Sequence, residues 1–376
     1  MPASPLKLAV VSDSVPPFFK GGKETRIYHL TRELSQLGCD VHIYTMHWWK
    51  PEGDYVEDGI TYHAISKLYP LYVGDRRSIK QGVLFGLACM KLWKYDTDMY
   101  EVDHMPFFPL FSVKIISLLK RKPMFAVWHE VWGKSYWREY LGGISGTIAY
   151  LIERASIYMP THIIAVSEHT QRRLRSELHY KGPLSMVTNG MNADVIAPTA
   201  PAKRHSDVIF TGRLLAHKNV DLLIEAIDII RQQQPTISCL IIGDGPEKVR
   251  LAKLISDRDL SANVSMLGYV ESSDDVFALM KSSRVFVLPS VREGFGITVL
   301  EAYACGLSIV TVDHRDNAAQ YIAPKDCSIV CPATAPEIAA SITTLLSRKP
   351  TSDKKHDASL YDWKVLGKRL KGIYTS

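Results

Sequence analysis

The sequence is short of the features that would place it quickly. Its six cysteines, at 39, 89, 239, 305, 327 and 331, include no C-x-x-C pair and sit mostly among apolar neighbours. Reduced core thiols in a cytoplasmic protein are the economical reading. Nowhere does the chain offer the roughly eighteen charge-free apolar residues that a membrane span requires. The amino-terminal stretch MPASPLKLAVVSDS holds an apolar run too short for a signal segment and is expected to enter a strand directly. A soluble protein is expected, or at most one peripheral at the inner face of a membrane. No Lys/Arg block or repeated aromatic-basic module speaks for nucleic acid. The 45 basic and 39 acidic side chains give a formal charge of +6, a mild excess that permits an anionic partner without naming one.

Several chemical signatures are missing as well. The loop Lys20-Gly21-Gly22-Lys23-Glu24 is not a Walker loop, because no Gly-Lys-Ser/Thr follows a four-residue gap, and the chain lacks the dinucleotide pattern G-x-G-x-x-G. His129 is followed by Glu130, but position 133 is Gly133, so a zinc-protease helix is excluded. Asp96-Thr97-Asp98 is a D-x-D string, read as a turn rather than a metal site because it lies far from the candidate loops.

What is present begins with size. At 376 residues, 46% hydrophobic and 22% charged, the chain is ordinary in composition and too long for one core, so two domains are expected. Its most informative stretch starts at Val285, where a β-branched run to Leu288 suits a strand buried on both faces. A loop from Val291 to Gly296, a helix from Ile297 to Cys305 closed by Gly306, and a buried strand from Ser308 to Val312 complete a βαβ unit. Gly294 and Gly296 let a ligand approach the backbone, and the unpaired N–H groups of the helix start favour an anion such as phosphate. Glu293 in the loop and Glu301, about two turns into the helix, fit beside an anion only if they accept hydrogen bonds from hydroxyls attached to it. A nucleotide-sugar supplies both, a sugar beyond its diphosphate and a ribose before it.

Glu293, seven intervening residues and Glu301, within EGFGITVLEAYACG, resemble the E-x7-E signature of retaining glycosyltransferases of the GT4 family. The resemblance implies the GT-B fold: an α/β chain of two Rossmann-like, doubly wound domains facing a central cleft, with a C-terminal helix crossing back to the N-terminal domain. GRLLAHK, ending at Lys218, is similar to the family motif whose two cations, here Arg213 and Lys218, offset the charge of a departing diphosphate. By the same resemblance Gly21 and Gly22 face the donor phosphates, and His129, at the carboxyl end of the strand Met124 to Trp128, reaches the donor sugar. The backbone of Phe295, Gly296 and Ile297 would hold the diphosphate, Glu293 the sugar, and Glu301 the ribose. Tyr269 and Val270 would lie by the nucleobase. Ser167-Glu168-His169-Thr170 and Asn317-Ala318-Ala319 are also family-like, while Asn192 replaces the family's common Asp.

The rest of the chain is read from its periodicity. Strands are expected at Leu6 to Val11, Val41 to Tyr44, Ile60 to Ile65, His162 to Val166, Ser185 to Val187, Val208 to Thr211 and Cys239 to Ile242. Helices are expected from Thr25 to Leu37, Gln81 to Trp93 and Tyr150 to Tyr158, and from about Asn219, with Gly53 to Gly59 as a turn. Arg76, Arg77, Lys80, Lys91 and Lys94 around the second helix read as a solvated basic face or a membrane-surface contact, and Phe107 to Leu119 with the following Lys120, Arg121 and Lys122 also suits anionic lipid. Trp128, Trp132, Tyr136, Trp137 and Tyr140 either wall an acceptor site or pack a loop. Residues 1–195 are expected to form the acceptor-side domain, 196–206 a linker, 207–358 the donor-binding domain, and 359–376 the returning helix.

The expected reaction moves a sugar from a UDP- or GDP-sugar to a hydroxyl of a glycan, a lipid-linked or a small-molecule acceptor, without cofactor or metal. Two other classes stay open: a non-catalytic nucleotide-sugar-binding protein, and a dinucleotide-dependent oxidoreductase, the latter disfavoured by the missing glycine pattern.

Overall fold

The β-branched apolar runs become central strands, because a strand covered by helices on both faces has no side that calls for polar residues. In the computed structural model, which describes residues 4–74, 76–348 and 358–376, these strands build two sheets. From edge to edge the first runs Leu184–Met186, His162–Ala165, Met124–Trp128, Met99–Asp103, Lys7–Val11, Asp40–Met46, Ile60–Ser66 and Tyr55–Glu57. All neighbours pair in parallel except Tyr55–Glu57, which returns antiparallel onto Ile60–Ser66. The second runs Val264–Gly268, Cys239–Ile242, Ser206–Thr211, Ser283–Leu288, Ser308–Val312 and Ser328–Cys331, parallel throughout. In each sheet the first strand in sequence sits inside, and the order reverses beside it. Loops leaving the carboxyl ends there diverge to opposite faces, which opens a crevice suited to a ligand.

The chain divides into two compact units, Met1–Asn189 with Trp363–Ser376, and Gly190–Asp362. The second therefore begins before the stretch 196–206 that the sequence offers as a linker. A short helix, Ala193–Ile196, forms there, and Lys281 Nζ donates to the carbonyls of Ile196, Ala197 and Thr199. In the first unit the terminal helix Trp363–Thr375 lies on the helix Gly22–Gln36. Trp363 stacks on His29 at 5.0 Å, and Leu366, Leu370 and Tyr374 join the core beneath. All six cysteines are unpaired and four of them are buried. Among the described residues no helix is long and apolar enough to cross a membrane.

Several local expectations are corrected. The first helix starts at Gly22 rather than Thr25, which puts Lys23 and Glu24 in its first turn. The helix expected from Gln81 to Trp93 is an α-helix, Ile79–Ala88, continued by a tighter turn, Cys89–Lys94. The turn expected at Gly53 to Gly59 contains the strand Tyr55–Glu57. Trp128, Trp132 and Trp137 are core residues, and Tyr136 and Tyr140, half-buried, pack against them. Trp132 and Trp137 are held by Glu153, fully buried, which accepts from the Trp132 and Gly133 amides and from Trp137 Nε1 at 2.8–2.9 Å. Burial pushes the Glu153 carboxyl up to about 7 in spite of those three donors.

Candidate functional site

In the second unit, the loops after Ser206–Thr211 and Ser283–Leu288 leave adjacent strands at the point where the order reverses. They are tied together directly. The Val291 amide and Ser290 Oγ both donate to the His217 carbonyl, at 3.1 and 3.3 Å, and Asn219 Nδ2 donates to the Pro289 carbonyl at 3.3 Å. Lys218 ends the tight turn Ala216–Lys218, and Glu293 ends Arg292–Glu293, which pairs in parallel with Asp316–Asn317. The result is that Lys218 Nζ donates to Glu293 Oε1, with both side chains largely shielded from water. Arg213 stands exposed on the same loop as Lys218.

The helix that follows is set by a buried turn. Asn317 donates to the Val312 carbonyl at 2.8 Å and accepts from the Ala319 amide at 3.0 Å. Against that turn packs Gly296, whose φ is +97° and whose Cβ, were there one, would lie 2.5 Å from the Ala319 Cβ. Only glycine satisfies both conditions. Gly296 opens Ile297–Ala304, a start that no side chain caps, with the Val299 and Leu300 amides donating to the Gly296 carbonyl; an uncapped helix start of this kind favours an anion. The Phe295 ring is buried 6.2 Å from that of Tyr361, which leaves only its backbone to the site. Glu301 lies further along this helix, and burial pushes its carboxyl up to about 7. Tyr269, exposed, and Val270, half-buried, follow the edge strand Val264–Gly268, one strand removed from Ser206–Thr211.

In the first unit the corresponding point lies where Lys7–Val11 neighbours Met99–Asp103, with Met124–Trp128 next in order. Asp13, fully buried, follows the first of these strands. It accepts from Lys23 Nζ at 2.7 Å, Arg77 at 3.2 Å and Gln81 Nε2 at 3.1 Å. Burial alone would raise its carboxyl, but Arg77 and Lys23 outweigh that and hold it below the usual range. Asp103 ends the second strand and His129 follows the third, so that His129 Nε2 meets Asp103 Oδ1 at 3.1 Å. Burial opposes the charge on Asp103, yet Lys23 at 3.7 Å and the His129 hydrogen bond bring its carboxyl down to about 2. The His129 carbonyl accepts from Thr170 Oγ1 at 3.2 Å, and Ser167 caps the helix carrying Thr170. Gly21 precedes the helix that delivers Lys23, and Gly22 is its first residue.

Lys218 and Glu293 are thus brought into contact, with Gly296 and Ile297 next along the same loop, whereas Gly21, Gly22 and His129 belong to the other unit. Sequence reasoning did not find Asp13, Asp103, Arg77 or Gln81. Asp13 and Asp103 carry the same signal as His129, a polar residue at the end of a buried strand. Arg77 carries none, because its partner is 64 positions away. It is not part of a solvated basic face.

A family model described as Glycosyltransferase Family 4 matches residues 20–195, and one described as Glycosyl transferases group 1 matches residues 193–359. The chain is 29% identical over 230 residues to the gpi3 subunit of the phosphatidylinositol N-acetylglucosaminyltransferase of Schizosaccharomyces pombe, covering 57% of this chain and 48% of the relative. To a subunit of the enzyme with the same name in Arabidopsis thaliana it is 28% identical over 195 residues, covering 50% of this chain and 43% of the relative. It therefore spans less than half the length of either relative. Among solved structures it is similar to the sucrose-phosphate synthase of Thermosynechococcus elongatus, with a TM-score of 0.76, 16% identity and 98% of each chain covered. It is also similar to Anabaena HepE solved with UDP and glucose, at a TM-score of 0.73 and 15% identity, covering 99% of this chain and all of the other. These likenesses establish the GT-B fold.

Proposed function

The chain belongs to the group 1, family 4 glycosyl transferases, and from that membership we propose that it transfers a sugar, with retention, from a nucleoside diphosphate to an acceptor hydroxyl. The observation that carries the reading is the meeting of Lys218 and Glu293 beside the uncapped start of Ile297–Ala304. A cation, a carboxylate and an uncapped helix start at one strand edge are what a sugar diphosphate needs.

Each group then has a task. Arg213, Lys218 and the 295–297 backbone hold the diphosphate and stabilise it as the bond from the anomeric carbon to its oxygen breaks. Glu293 and His129 orient the sugar, and Glu301 takes the ribose hydroxyls. Asp103 fixes the His129 ring through Nε2, leaving Nδ1 to act. The acceptor oxygen attacks from the face the phosphate leaves, and its proton passes to the departing phosphate oxygen, so no covalent enzyme intermediate forms. The side-chain cations supply the charge that a metal would otherwise bring, which supports a metal-independent reaction. UDP in a structural neighbour supports a UDP-sugar donor, with a GDP-sugar as the other candidate. Phosphatidylinositol in the names of the two relatives supports a lipid-linked acceptor, met by a protein peripheral to the membrane.

The test is turnover of UDP- and GDP-sugars by the purified chain, with Lys218→Ala and Glu293→Gln alongside. Loss of the Lys218 charge at the leaving group is expected to cost roughly 100- to 1,000-fold in kcat, and Glu293→Gln to lower turnover as well, with the melting temperature tracked to separate chemistry from folding. Full turnover by either folded variant refutes that residue's role.

A further inference from the structure

Three helices of the first unit leave apolar stripes uncovered. On Ile79–Ala88 and the turn after it, Ile79, Val83, Leu87 and Met90 recur at helical spacing, and Trp93 follows on. On Phe108–Lys120 the stripe is Phe108, Phe111, Ser112, Ile115, Leu118 and Leu119, and on Gly143–Ser156 it is Ile144, Ile148, Leu151 and Ile152. The three converge on one open groove of about 350 Å³, lined by Val83, Gly86, Leu87, Phe108, Phe111 and Ile152. Leu87 in the groove lining is 63% exposed, and outside the groove the same helices and the turn after the first expose further apolar side chains, with Trp93 53%, and Leu118 and Leu119 each 64% exposed. An uncovered surface of this kind on a folded protein calls for a partner.

Charge says which partner. From Ile79 to Tyr95 and from His104 to His129 there is no acidic residue, while Lys80, Lys91, Lys94, Lys114, Lys120, Arg121 and Lys122 fall in those spans. Lys122 pairs with Asp98 at 3.1 Å and Lys91 Nζ donates to the Ile65 carbonyl, but Lys80, Lys94 and Arg121 stand exposed. Lys120 Nζ stands 5.6 Å over the Trp93 ring while donating to the Tyr95 carbonyl, which places an aromatic body and a cation side by side as at a lipid headgroup boundary. A second copy of the chain would bring two cationic faces together, which like-charge repulsion opposes. We propose that this face docks on an anionic bilayer and that the groove takes one acyl chain of a lipid drawn partly out of it. The proposal deepens the lipid-linked acceptor reading by naming the surface that meets the lipid, and it rests on that reading only for its biological purpose.

The test uses flotation of the full chain with three vesicle preparations: phosphatidylcholine alone, phosphatidylcholine with phosphatidylglycerol, and the latter with a lipid whose acyl chain carries a photoactivatable diazirine. Binding to the anionic vesicles is expected, weakened by salt. Leu118→Glu with Leu119→Glu lowers it at least about tenfold, because each exposed leucine loses its burial in the acyl boundary. Cross-links are expected on Val83 to Leu87, Phe108 to Ser112 and Ile152. Both leucines are exposed, so the variant keeps its fold, checked by thermal melting, and it keeps wild-type donor hydrolysis without vesicles. Absence of flotation, flotation indifferent to the double substitution, or cross-links confined to other segments overturns the proposal. A solution dimer that the same substitution dissociates also overturns it, in favour of self-association. Donor hydrolysis is read separately, so failed docking with intact hydrolysis sinks this inference alone, and absent hydrolysis in the wild type sinks the catalytic reading alone.

Discussion

Lys218 and Glu293 neutralise one another in a partly buried pair, so binding of a sugar diphosphate in the proposed manner would divide them between two new partners. That exchange carries little net penalty, since each ion trades one charged or polar partner for another. Glu301 is different, because burial rather than a partner sets its carboxyl near 7. If it accepts from ribose hydroxyls, the anion binds the donor better than the acid does. Folded but unliganded protein holds the proton below about pH 7, so donor affinity rises with pH up to that point, by at most about tenfold per unit, and then levels. Calorimetry across this range should show the rise in the wild type and a flat profile in Glu301→Gln. The spacing of Glu293 and Glu301 was legible because both lie on one short βα segment. Asp103 and Arg77 were not, since their roles depend on partners from separate strands and a distant hairpin.

Among the elements, the long periodic ones were legible and the short ones were not. A buried strand such as Met124–Trp128 announces itself by composition, whereas Tyr55–Glu57 has three residues and is held only by its neighbour Ile60–Ser66. The terminal helix shows how closely a legible element can be fitted. Gly367 faces the helix Gly22–Gln36, where a Cβ would lie 2.6 Å from the Glu33 Cβ, while Gly372 in the same helix meets nothing within 4 Å. Gly367→Ala should therefore destabilise by roughly 1–3 kcal/mol through overpacking. Gly372→Ala should stabilise by up to about 1 kcal/mol through helix propensity. Denaturant melts of the two variants check the contrast, and equal effects would mean that the helix is not packed as described.

For the whole molecule, the buried thiols provide a reporter in each unit: Cys39 and Cys89 in the first, Cys239 and Cys331 in the second. Burial pushes all four thiols up, which keeps them from reacting while folded. Each unit has its own sheet and core, so the two pairs should become alkylated at different denaturant concentrations, read by mass spectrometry of the labelled peptides. A single shared transition would show that the units unfold as one. The sequence by itself determined the α/β class, the position of most strands, and the segment bearing Glu293 and Glu301, because burial on both faces and helix-start chemistry are local and leave local patterns. Only the tertiary structure decided that Asp13 gathers Lys23, Arg77 and Gln81, that Asp103 orients His129, and that three apolar stripes share one groove. Those arrangements depend on strand order and helix packing, which bring together residues far apart in the chain and leave no repeat or spacing by which one segment could reveal them.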